Sequence, residues 1–211
     1  MTGNLRILTR RCGAVLLAAF CLMLSQAQAK TRQNKVITAN PAPRANPPIT
    51  IRQIMLAGKP VELGVPFAAS DSWLEDLSVK VENNSGKAVT YFDLGISFPN
   101  VEEGGPTLTL PLSFGQVPGA PNASGVKETL APGASATLGV GRRADGLRQA
   151  LSDNQHQADK VNVRVMTVLF EDGTLWRNGF EGQPDPTHPL RWDMKGAIFE
   201  PGVGSEHGAV K

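Results

Sequence analysis

Apolar and polar residues alternate with a period of two in one short run after another along this chain. That rhythm fits half-buried β-strands and disfavours helix. Leu77, Val79 and Val81 alternate with Ser78, Lys80 and Glu82. Phe92, Leu94, Ile96 and Phe98 share one face, as do Leu108, Leu110, Leu112 and Phe114. Ala134, Ala136, Leu138 and Val140 repeat the pattern, and Val161, Val163, Val165 and Thr167 repeat it again. Ile49 and Ile51 alternate ahead of a short apolar stretch over 61–67. Only 144–151 has helical spacing, with Leu147, Ala150 and Leu151 on one side and Asp145 placed to cap it.

The connections carry turn residues. Asn83-Asn84-Ser85-Gly86 tolerates positive φ and predicts a hairpin between the runs on either side. Asp172-Gly173 predicts another, leading into Leu175-Trp176. In Leu130-Ala131-Pro132-Gly133, proline presets the first φ and glycine takes the second, positive one. Pro111 marks its strand as an edge. Residues 115–126 read as a loop, and the chain after Gly179 reads as Pro-rich and irregular. Roughly seven or eight short strands and one short helix make an all-β, two-sheet antiparallel sandwich the expected fold.

The front of the chain reads as an address. Arg6, Arg10 and Arg11 precede an apolar run over 12–24, and Ala27-Gln28-Ala29 is a small-x-small cleavage site. Residues 1–29 are therefore expected to be a signal peptide, and the mature chain has no expected transmembrane segment. Lipid attachment at Cys21 competes with this reading, but bulky Phe20 precedes the cysteine and the apolar run continues past it. Both cysteines, Cys12 and Cys21, lie in the leader, so the mature domain folds without a disulfide. Removing the leader arginines takes the formal charge from +2 to −1. No basic stripe remains to neutralise phosphates, which argues against nucleic acid as a partner. Residues 30–48, basic and rich in proline, read as a flexible linker, and 201–211 as a disordered tail. The sandwich domain is expected over 49–200.

No motif for nucleophilic catalysis is visible, and no cofactor is expected. Gly139-Val140-Gly141-Arg142-Arg143-Ala144 matches a dinucleotide fingerprint, but the repeated βαβ units that fold needs are missing. Asp185, His188 and Asp193 offer oxygen and imidazole ligands without the spacing of a known metal loop. A hydrolase using Asp185 and His188 lacks an identifiable nucleophile. Trp73, Trp176 and Trp192 are expected mainly in the core, although exposed tryptophans would allow stacking on sugar rings. Asn83-Asn84-Ser85 and Asn122-Ala123-Ser124 match the glycosylation pattern and read here as turn chemistry.

The run from Leu77-Ser78-Val79-Lys80-Val81 through Asn83-Asn84-Ser85-Gly86-Lys87 resembles the hairpin of bacterial extracytoplasmic immunoglobulin-like domains. Leu130-Ala131-Pro132-Gly133-Ala134 is similar to the turn that opens a later strand in them. Phe170-Glu171-Asp172-Gly173-Thr174-Leu175-Trp176-Arg177-Asn178-Gly179, with Arg191-Trp192, resembles exported bacterial proteins of uncharacterised function. The resemblance implies an immunoglobulin-like sandwich in the periplasm or outside the cell, and no catalytic residues. The expected activity is binding to an envelope protein, with glycan binding as the alternative. The expected site is Asp172, Trp176, Arg177, His188, Arg191 and Trp192, on the condition that the 172–177 hairpin and the 181–192 segment lie together.

Overall fold

The computed structural model describes residues 33–39, 47–70, 72–102, 104–116, 128–153, 156, 158–194 and 198–199. The expected signal peptide, parts of the expected linker, most of the expected 115–126 loop and the expected tail lie outside these residues. The rest is mostly β, in two sheets, with one α-helix.

The large sheet is built around β9 (Lys160–Phe170). Along one edge β9 pairs antiparallel with β6 (Val89–Phe98), and β6 pairs with β7 (Leu108–Gly115). Two strands share its other edge. β1 (Gln33–Ala39) runs parallel to the first residues of β9, and β10 (Leu175–Arg177) runs antiparallel to the last. β4 (Phe67–Ala69) flanks β1. Beyond β10 the meander continues through β11 (Phe180–Asp185), β12 (His188–Asp193) and β13 (Ile198–Phe199). The smaller sheet has the order β3 (Lys59–Val61), β2 (Ile49–Leu56), β5 (Leu77–Asn83), β8 (Ser135–Gly139). The core lies between the sheets. Phe92, Leu94, Ile96 and Phe98 of β6 and Val163 and Val168 of β9 meet Ile49, Ile54, Val79 and Val81 of the small sheet, all buried.

Several expectations hold. Leu77, Val79 and Val81 point inward, as do the alternating residues of β6. The Asp172-Gly173 hairpin forms, with Gly173 at φ 82. Gly133, at φ 75, takes the positive position after Pro132, and Ala134 N–H closes the turn on Ala131 O at 3.0 Å. Strand β7 is an edge among the described residues, and Arg143 Nη1 donates to its Pro111 carbonyl at 3.1 Å, which covers part of that edge.

Other expectations are corrected. Residues 33–39 are not linker but strand β1, with Ile37 fully buried. The β-branched run Val36-Ile37-Thr38 supplies the propensity, and the unpaired half of the β9 edge supplies the partner. Because β1 is parallel to β9, the large sheet is mixed rather than antiparallel throughout. The Asn83–Gly86 connection is no hairpin. It carries the chain from the small sheet to the large one, since β5 pairs with β2 and β8 whereas β6 pairs with β7 and β9. None of residues 83–86 takes a positive φ. Residues 180–185 and 188–193 are not irregular but form strands β11 and β12. Asn178 (φ 49) and Gly179 (φ 92) make a two-residue turn of the kind that suits a right-twisted ribbon, and β11 follows.

Two period-two runs contain a bulge. Arg52 is the extra residue in β2, which lets Ile49, Ile51 and then Ile54 face inward. Met166 is the extra residue in β9, so Thr167 turns outward and Val168 inward. The helix α1 (Ala144–Asp153) forms as expected, but Asp145 lies within its first turn and pairs with Arg148 instead of capping it.

Candidate functional site

The condition set by the sequence is met: the 172–177 hairpin and the 181–192 segment lie together. The β9–β10 and β11–β12 turns sit side by side at one end of the ribbon. Trp192 Nε1–H donates to Gly173 O at 2.8 Å, and Pro184 packs against Gly173.

The two turns share one local design, Asp-x-Thr. Asp172 Oδ1 accepts the backbone N–H (2.9 Å) and hydroxyl (2.6 Å) of Thr174. Asp185 Oδ1 accepts the same pair from Thr187, at 2.8 and 2.6 Å. A carboxylate held by two local donors prefers its charged form. Asp172 is held down to about 2, first by Lys87, whose Nζ lies 2.6 Å from Oδ2, and then by Thr174. Asp185 is held down to about 2, first by the Thr187 hydroxyl and backbone N–H. Because Thr187 spends its one proton on Asp185, His188 Nδ1 is assigned the donor role toward Thr187 Oγ1 (2.8 Å) and Asp185 Oδ2 (3.2 Å). Among the described residues, no third metal-ligating side chain joins this pair.

Of the residues expected in the site, Asp172 and His188 are on the surface. Arg191 is half-buried in β12. The tryptophans offer no exposed ring: Trp73, Trp176 and Trp192 are 2, 4 and 3 % exposed. Trp176 belongs to the main core. Trp192 packs on the opposite face of the β9–β10 ribbon, with Leu175, Met194 and Leu169, in a small second core. The two rings clamp the ribbon from both sides, and tryptophan stacking on a sugar loses its basis.

Arg177 lies at the far end of β10 and faces a different cluster. It sits in a row across the outer face of the large sheet, Ser113-Asp93-Thr167-Arg177, one residue per strand. Burial pushes the Asp93 carboxyl up against the hydrogen bonds of Thr167 and the charge of Arg177. One Asp93 carboxylate oxygen is buried without a hydrogen-bond partner among the described residues. Burial also pushes up the neighbouring Tyr91 phenol, which Ser113 hydrogen-bonds.

A cleft of about 540 Å³ lies beside the Asp172 turn. The inter-sheet connection forms one wall, with Ser85, Gly86 and Lys87, and Pro48 adjoins it. Strands β10 and β11 form the other, with Thr174, Trp176, Phe180, Glu181 and Gln183 among its residues. Phe170 also lines the cleft and lies beneath Lys87 Nζ, 5.4 Å from its ring centroid. Phe180 is 42 % exposed. A second depression of about 470 Å³ adjoins Pro184, Arg191 and Trp192.

Sequence reasoning missed Lys87 and Phe180, and took Glu181 only as the start of the 181–192 segment. A signal for the last two was present: Asn178-Gly179 is a strong hairpin dipeptide, and recognising it would have placed strand β11. Asn83, the first residue of one glycosylation pattern, is fully buried with both amide atoms engaged, so the folded chain cannot present it. Asn122 lies outside the described residues. No family model, curated protein or solved structure matches this chain.

Proposed function

We propose that this chain is an exported, immunoglobulin-like domain of the bacterial envelope that binds a partner without transforming it, and that the 540 Å³ cleft is its binding site. The observation that carries the reading is the build of the cleft: apolar and charged groups on two facing walls. One wall is anchored by the buried Asn83 and the other by the buried Trp176. Rigid walls of this kind present side chains at low entropic cost. Loops on a stiff sandwich are where recognition commonly lives.

The test is in-cell crosslinking of the tagged full chain, followed by capture and mass spectrometry. Phe180→Ala and Glu181→Gln change exposed cleft residues and are expected to leave the circular dichroism spectrum unchanged. A partner crosslinked to the wild type and lost from both variants supports the reading. Capture that neither variant reduces overturns it.

A further inference from the structure

We propose that the cleft recognises an ammonium group carried on an apolar stem, and that Lys87 occupies the receptor for that group in the unliganded chain. This rests on the cleft being the binding site. Lys87 Nζ lies 2.6 Å from Asp172 Oδ2, donates to Thr174 Oγ1 at 3.2 Å, and sits 5.4 Å from the centre of the Phe170 ring. A carboxylate, a hydroxyl oxygen and a π face are the groups that together recognise an organic cation.

The receptor is fixed without help from Lys87. Thr174 holds the carboxylate through its N–H and its hydroxyl. The turn closes on itself through Gly173 N–H to Phe170 O and Phe170 N–H to Thr174 O, at 3.0 and 2.9 Å. Lys87 reaches in from the opposite wall on a flexible stem, and its side chain is 49 % exposed. An ion pair this exposed is weak, so the resident ammonium is displaceable.

Charge selects the same class of guest. Lys87 and Asp172 cancel. Glu181, the other charged residue lining the cleft, forms no ion pair among the described residues. A cationic guest gains that carboxylate, and an anionic guest is repelled by it. Phe170, Trp176 and Pro48 line a space wide enough for several methylenes. A free alkylamine and a lysine side chain of a partner share this chemistry.

The test titrates the folded full chain with n-butylammonium and with n-butanol, following tryptophan fluorescence and the amide resonances of Thr174 and Glu181. Lys87→Met keeps the apolar stem and vacates the receptor. It is expected to bind n-butylammonium about tenfold more tightly than wild type. Adding Glu181→Gln should remove most of that gain, and n-butanol should bind neither protein. Tighter binding of N-acetyl-lysine amide than of n-butylammonium assigns the guest to a peptide side chain, and equal binding assigns it to a free amine. Lys87→Met binding n-butylammonium no more tightly than wild type, or no more tightly than n-butanol, overturns the proposal. Crosslinked partner that depends on Glu181 and Phe180 but persists in excess n-butylammonium also overturns it, while sparing the cleft as the binding site.

Discussion

Replacing Asn83 by alanine tests whether one buried amide holds the two sheets in register. The side chain is fully buried where the small sheet hands the chain to the large one. Its Nδ2 donates to Lys87 O and Leu130 O, each at 2.9 Å. Its Oδ1 accepts from Ser85 N–H at 3.0 Å and Ser85 Oγ–H at 2.6 Å. Neither carbonyl is orphaned by the substitution, since Leu130 O keeps Val89 N–H, and the Ser85 hydroxyl released from Asn83 Oδ1 lies 2.9 Å from Lys87 O and can donate to it. The loss is then the net worth of the bonds rather than a full desolvation penalty. At about 1 kcal/mol for each, that is about 3 kcal/mol after partial repair. With a urea slope of about 2 kcal/mol per molar, the midpoint should fall by about 1.5 M. Asn83→Asp keeps the shape but points an oxygen at two carbonyl oxygens, so it should cost at least as much at neutral pH and recover as the carboxyl gains a proton. Asn84→Ala is the control. Its side chain is exposed and bonds Thr50 and Arg52, so it should cost no more than about 0.5 kcal/mol. Asn83→Ala costing less than about 1 kcal/mol, or no more than Asn84→Ala, would refute the reasoning.

Four further substitutions follow from the backbone and the charges. Ala57 (φ 48) and Gly58 (φ 75) form the exposed β2–β3 turn, so Ala57→Asn should raise the urea-unfolding free energy by about 0.5–1 kcal/mol. Gly115 (φ 72) leaves a built Cβ only 2.1 Å from Thr90 O, so Gly115→Ala should cost about 3 kcal/mol in the same assay. The acids separate by pH. Asp93 is raised above its ordinary value, so its folded form binds the proton more tightly, and its contribution to stability falls as pH rises above about 3.8. Asp172 is lowered to about 2, so its contribution is present above about 3.8 and is lost as pH falls toward 2. In thermal melts, the difference between wild type and Asp93→Asn should change with pH above 3.8, and that between wild type and Asp172→Asn below it. Interchanged windows would contradict both assignments.

Period two is a backbone property, so Leu77, Val79 and Val81 announced their strand and its buried face without knowledge of any neighbour. Pro132-Gly133 and Asp172-Gly173 announced turns for the same local reason. Which strands pair is not local. A turn after Asn83 serves a hairpin or a crossover equally well, and here the decision lies with Leu130 O, a partner 47 residues away. Bulges at Arg52 and Met166 are equally silent, because an extra residue shows only when its partner strand is known. The site was half legible for the same reason. Asp172 and His188 stand in turn sequences that say what they do. Lys87 gains a role only when the crossover brings it over Phe170, and Asp93 sits in the polar phase of a strand where any solvated acid would read the same. The site expected from sequence therefore took in Trp176 and Trp192 beside its charged residues, side chains conspicuous for size rather than position. Burial of all three tryptophans moves the proposed binding chemistry to smaller groups beside them, the Asp172 turn, Lys87 and Glu181, and leaves Trp176 and Trp192 to hold the wall that carries those groups.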